Sequence, residues 1–120
     1  GGMWFKKKSV LQAEHHYDTE KSADNTTDLR TTYKYYNNTN SSINTSGLPS
    51  AAEANKYFYL PALGWYDFGQ LHTVGYVGYY WSSSANPWNS NGAYNLYIDS
   101  GNANVNIDIR YNGFRAEALQ

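Results

Sequence analysis

Five oxygen-bearing side chains, Asp99, Asn102, Asn104, Asn106 and Asp108, crowd ten consecutive positions near the end of the chain. Hard cations such as calcium select sets of this kind, but they need several oxygens, some of them charged, converging on one point. Alternate positions of a β-strand instead point in parallel from a flat face. The run is therefore expected to form a polar surface and not a metal site.

The other groups capable of chemistry lack partners at a useful spacing. His15 and His16 are adjacent, so they diverge on any regular element, and a metal would have to recruit His72 from far along the chain. Ser82–Ser84 carry no glycine elbow, and no phosphate-binding loop is present. Without a single cysteine, thiolate ligation and disulfides are both excluded. The expectation is a protein with no catalytic residue, no metal and no cofactor.

Aromatic residues make up 18% of the chain, thirteen of them Tyr and four Trp. Tyr and Trp beside Asn and Ser compose contact surfaces that combine rigid aromatic area with adaptable hydrogen bonds. Trp88, in the turn-rich "ANPWNSNG" with Asn89 and Asn91, is expected to be exposed, whereas Trp81 inside "YYWSSS" is expected to be core.

The elements that must position these residues lie mostly in the second half. Residues 1–50 form a polar, loop-rich half and 51–120 a strand-rich half of one domain of 120 residues. In the first half, Ser9–Tyr17 suggests a short helix capped by Ser9, and Thr27–Tyr36 suggests a strand within a long Asn/Ser/Thr loop. "FKKKS" is expected to be a solvated, frayed terminus, and "GG" before Met3 an addition ahead of the natural start. Four glycosylation-type sequons, at Asn25, Asn37, Asn40 and Asn44, are what a tract this rich in Asn, Ser and Thr produces by chance. Pro49–Tyr57 offers a helix with Ser50 and Glu53 as a capping box.

Beyond Tyr57, Pro61 and Gly64 argue for a bent strand or loop, and a strand is expected at Tyr79–Ser83. Ala93–Ile98, Ala103–Ile109 and Gly113–Ala118 then suggest an antiparallel meander. Period two puts Tyr94, Leu96 and Ile98 on one face and Asn95 and Tyr97 on the other. In the next strand Ala103, Val105, Ile107 and Ile109 face in while Asn104, Asn106 and Asp108 face out, and Phe114, Ala116 and Ala118 complete the core face.

A formal net charge of -1 with 16% charged residues gives no footprint for phosphate neutralisation, so nucleic-acid binding is not expected. No apolar run is long enough to suggest membrane insertion.

Together "YFYLPALGW", "GYYWSSS" and "AYNLYIDSGNANVNIDIRYNGFRAEA" resemble the variable proteins of diversity-generating retroelements, to which lectin-like domains of gut Bacteroidales surface proteins are related. The likeness covers roughly Tyr57–Ala118. It implies an α+β, C-type lectin-like fold dominated by antiparallel strands, with one or two short helices. It also implies adenine-directed diversification of codons for surface residues. The ligand-binding set would be Trp88, Asn89, Asn91, Tyr97, Asp99, Asn102, Asn104, Asn106, Asp108, Ile109 and Tyr111, over a constant scaffold of Leu96, Val105, Gly113 and Phe114. The partner implied is a cell-surface protein or glycan, met at a bacterial surface or on a phage virion by several copies or a homo-oligomer. None of the Glu-Pro-Asn, Gln-Pro-Asp or Trp-Asn-Asp triplets of calcium-dependent sugar binding occurs. Three alternatives stand beside this reading: a lectin-like adhesin module that is not diversified, a structural pilus or tail component, and an enzyme on the same architecture. Formylglycine-generating enzymes represent the last, and their cysteine or copper chemistry has no cysteine to use here.

Overall fold

A computed structural model describes residues 1–14, 26–34 and 47–114, and these are mostly antiparallel strands in three small sheets with one α-helix. Strand β1 (Gly2–Lys6) pairs with β2 (Tyr57–Pro61), β3 (Trp65–Asp67) with β4 (Gln70–His72), and β5 (Gly78–Ala85), β6 (Gly92–Ile98) and β7 (Ala103–Ile109) form a meander.

The core lies where the β1–β2 ribbon meets one face of the meander. The register Met3↔Leu60 and Phe5↔Phe58 puts these four side chains on one side of the ribbon, against Tyr80, Leu96, Ile98 and Ala103. Leu60, Tyr80 and Ile98 are buried. Burying each such side chain stabilises the fold by about 1.5–3 kcal/mol. Tyr80 also solves the problem of a buried hydroxyl by donating it to the Pro61 carbonyl, which ties the sheet to the end of β2. Tyr94 donates to the Thr32 carbonyl and accepts from the Lys34 amide, both at 3.3 Å, so its buried hydroxyl anchors the described part of the first half.

Two glycines allow this approach. Gly78 lies in the wall of the core, where an added Cβ would stand 2.9 Å from Ile98 Cγ1. Gly64, at φ +69°, bridges Gly78, and a Cβ there would collide with the His72 carbonyl oxygen. Only glycine meets both demands.

Several expectations change. "FKKKS" is not frayed: Phe5 and Lys6 lie in β1, and Lys6 Nζ pairs with Glu14 at 2.8 Å. The pairing runs one residue beyond β1, the Gly1 carbonyl accepting from the Ala62 amide at 2.8 Å. Helix α1 spans Lys8–Ala13 with Lys7 as its N-cap, so Ser9 is inside it and caps nothing. Thr27–Lys34 forms a turn where a strand was expected, because Asp28 accepts from the Arg30 amide at 3.0 Å and its carbonyl from the Thr32 amide at 2.9 Å. The helix expected over Pro49–Tyr57 contracts to a 3-10 turn at Ala54–Lys56, and the capping box does not form. Glu53 instead pairs with Lys56 at 3.1 Å. The four sequon asparagines, His15, His16 and residues 115–120, including Ala116 and Ala118, lie outside the described residues.

Candidate ligand-binding face

The candidate face is the side of the meander opposite the core. Its grid follows from register: one row runs Tyr79, Tyr97, Asn104, the next Trp81, Asn95, Asn106, and Asp108 follows opposite Ala93. Neighbours along a row stand about 5 Å apart and successive rows about 7 Å. Tyr97, Asn104, Asn106 and Asp108 therefore share one surface of molecular size.

The two edges of this grid differ. On the β5 side Phe114 stacks on Tyr79 (centroids 4.5 Å) and lies 4.4 Å from the Trp81 ring, while Trp65 meets Tyr79 at 5.8 Å and Phe114 edge-on at 6.2 Å. Phe114 thus packs on the face opposite the one expected of it. Its position follows from Gly113, which bridges Tyr66 and so draws the chain across the amide side after β7. A Cβ at Gly113 would lie 2.6 Å from Tyr66 Cβ, so the crossing requires glycine. On the β7 side Asn104, Asn106 and Asp108 are half-buried and carry the polar chemistry.

Asn95 departs furthest from parity. Expected outward, it is 0% exposed, on the central strand between Trp81 and Asn106. Its Nδ2 donates to Asp108 Oδ2 at 3.1 Å, and its Oδ1 has no hydrogen-bond partner. Burial raises the Asp108 carboxyl above its ordinary value, and the Asn95 bond opposes that rise only in part. Tyr79 is also raised, by burial first and then by the Asp108 charge.

Tyr97 connects the grid to the β6–β7 turn. Its hydroxyl donates to Asp99 Oδ2 at 2.8 Å, and burial followed by this bond pushes the phenol up to about 12. Burial alone would raise Asp99, but bonds from the Gly101 amide (2.9 Å), Tyr97 and Asn102 Nδ2 (2.8 Å) outweigh it and hold the carboxyl below its ordinary value. Asp99 and Asn102 therefore close the turn on each other.

The remaining candidates are at the other end of the sheet, about 20 Å away along seven-residue strands. The Asn91 carbonyl accepts from the Arg110 amide at 3.0 Å, which brings the loop carrying Trp88, Asn89 and Asn91 beside Tyr111. Trp88 is 77% exposed and stacks on Tyr33 at 5.4 Å, and Tyr111 is 74% exposed. Asn89 Oδ1 accepts from the Asn91 amide at 2.9 Å and shapes that loop. Ile109 shares the parity of Val105 and Ile107, hence the core side; at the sheet's end, opposite Gly92, it is 46% exposed and does not finish the core. Trp81 is half-buried on the amide side, not in the core.

The eleven candidates thus form a central patch, one turn and one loop cluster, with Ile109 on the reverse side. Sequence reasoning missed Tyr79, Trp65 and Phe114 as the aromatic wall of the patch. Parity in "GYYWSSS" separates Tyr79 and Trp81 from Tyr80, but only the register with β6 assigns them a face. Among the described residues no three His, Asp or Glu side chains cluster as a metal site, and no helix is long and apolar enough to cross a membrane. No family model, curated protein or solved structure matches the chain.

Proposed function

We propose that this chain is a ligand-binding domain of C-type lectin-like fold that displays a variable patch centred on Tyr97, Asn104, Asn106 and Asp108. One observation carries the reading: three outward residues of β7 sit on consecutive rows beside an aromatic wall, while Val105 and Leu96 lie on the opposite face. Side chains outside the core can change chemistry at little cost to the fold, Asp108 less so than the others because it accepts from the buried Asn95 amide at 3.1 Å. A ligand meets amides and a carboxylate that donate and accept, flanked by the edge of Tyr97, which is the mixture that adaptable recognition uses. The ligand is a protein or glycan of a cell surface, bound without a cofactor and without catalysis. Several displayed copies would add avidity to a weak single site.

Sequencing many copies of the locus tests this reading. Adenine-directed changes concentrated at codons 97, 104, 106 and 108, next to a template repeat and a reverse transcriptase, are the expected result; changes spread evenly over Tyr57–Ala118 contradict it. A specific observation favours the second reading, an adhesin module that is not diversified. Asp99 is committed to Tyr97, Gly101 and Asn102, so a changed residue there costs the turn. Invariance at codon 99 together with codons 104 and 106 selects that reading.

A further inference from the structure

Asn95 and Asp108 are two acceptors on the amide face that the fold leaves incompletely met. Asn95 is fully buried, yet its Oδ1 has no hydrogen-bond partner. An apolar side chain at this position of the central strand would carry no such penalty. Its amide serves instead to hold a carboxylate, since Nδ2 donates to Asp108 Oδ2 at 3.1 Å. The second carboxylate oxygen, Asp108 Oδ1, accepts no bond from the described residues and is not sealed from solvent, because Asp108 is half-buried and Asn95 Oδ1 alone is both enclosed and unpartnered. Charges drawn partly out of water are normally paired with an opposite charge. Here the only group that lowers the Asp108 carboxyl is the Asn95 amide, and Arg110, two positions on, gives its Nε to the Gly92 carbonyl at 3.4 Å.

We propose that Asp108, held by Asn95 beside the aromatic wall, receives a basic side chain, lysine or arginine, of a partner protein. The inference rests on the ligand-binding reading above and names the chemistry of the group that is bound. The residues concerned form one continuous cluster. Trp81 stands opposite Asn95 in the β5–β6 register, its ring lies 4.4 Å from Phe114, and Phe114 stacks on Tyr79 at 4.5 Å. The Asp108 charge reaches Tyr79, whose phenol it helps to raise. A carboxylate next to aromatic rings selects for a cation, which the charge and the ring quadrupoles both attract. The same pair repels phosphate, sulfate and acidic sugars, and a neutral sugar would need no charge at all. No Lys or Arg occupies the rows Tyr79–Tyr97–Asn104 and Trp81–Asn95–Asn106 or the place of Asp108, so the cation is left for the partner to supply. Asn95, enclosed beneath this surface, acts as a positioning residue through Asp108.

The test is a nuclear magnetic resonance titration of the isotope-labelled full chain with the methylamides of acetyl-lysine, acetyl-arginine and uncharged acetyl-norleucine. The basic probes should shift the Asn95 side-chain amide and the Trp81 indole, with the norleucine probe weaker by about tenfold or more. Asp108→Asn should weaken the basic probes by about tenfold and leave the backbone spectrum of the folded chain in place. Asn95→Leu separates positioning from structure: the melting temperature should hold or rise as the unmet acceptor disappears, while affinity for the basic probes falls about fivefold. Norleucine binding as well as lysine overturns the proposal in favour of an apolar contact, and neutral disaccharides that shift the same resonances equally in the parent and in Asp108→Asn overturn it in favour of a glycan. Resonances that no probe moves also overturn it. The diversified patch is judged apart from all of these by the sequencing of the locus.

Discussion

The two faces of the β5–β6–β7 sheet are built from the same three strands yet answer to different physics. On one, Tyr80, Leu96 and Ile98 close against Leu60, Met3, Phe5 and Phe58. On the other, Asn104, Asn106 and Asp108 stand half-exposed beside Tyr97 and an aromatic wall. Stability concentrated on one face leaves the other free to differ. Asn95 marks where that freedom ends, since it shares the polar face but is sealed beneath it.

Substitutions can break or sharpen this contrast. The largest effect is expected for Ile98→Ala, which empties a fully buried site and should cost about 3 kcal/mol in urea unfolding. Gly78→Ala attacks the same wall from the opposite direction, because its Cβ would press on Ile98 at 2.9 Å; overpacking should cost about 1–2 kcal/mol. Phe68→Asn should act in reverse, stabilising the fold by about 1 kcal/mol through relief of the left-handed turn, as thermal melts would show.

Asp108→Asn gives a smaller effect whose sign depends on pH. A carboxyl raised by folding favours the folded state most fully below its unfolded pKa, and that contribution is lost as pH rises through the folded value. The substitution should therefore raise stability at neutral pH relative to its effect near about pH 3, which melts at the two pH values would compare. A gain that is equal at both would assign the effect to packing instead.

Much of the sheet was legible because period two is a local property. The bounds Ala103–Ile109 and the inward set Leu96, Val105 and Ile98 follow from alternation alone. Long-range geometry was not legible. Nothing local pairs Gly2–Lys6 with Tyr57–Pro61, more than fifty positions away, and three lysines beside an aromatic suggested a solvated end. Asn95 and Phe114 depend on what covers the second face, and that is fixed by the Gly113 bridge to Tyr66. Ser50 and Glu53 carried a cap signal that goes unused: only Ala54–Lys56 becomes helical, as a 3-10 turn, and Lys56, three residues on, takes the Glu53 carboxylate. Within the candidate set, parity grouped Tyr97 with Asn104, Asn106 and Asp108, but the 20 Å between the two ends of the sheet was invisible to it.

The division of labour between the faces is tested most directly by urea unfolding of a library varied at Asn104 and Asn106 with Asp, Ser, Tyr, Ile and His. The account predicts free energies within about 0.5 kcal/mol of the parent and unchanged near-ultraviolet spectra. Losses at these positions comparable to that of Ile98→Ala would contradict it.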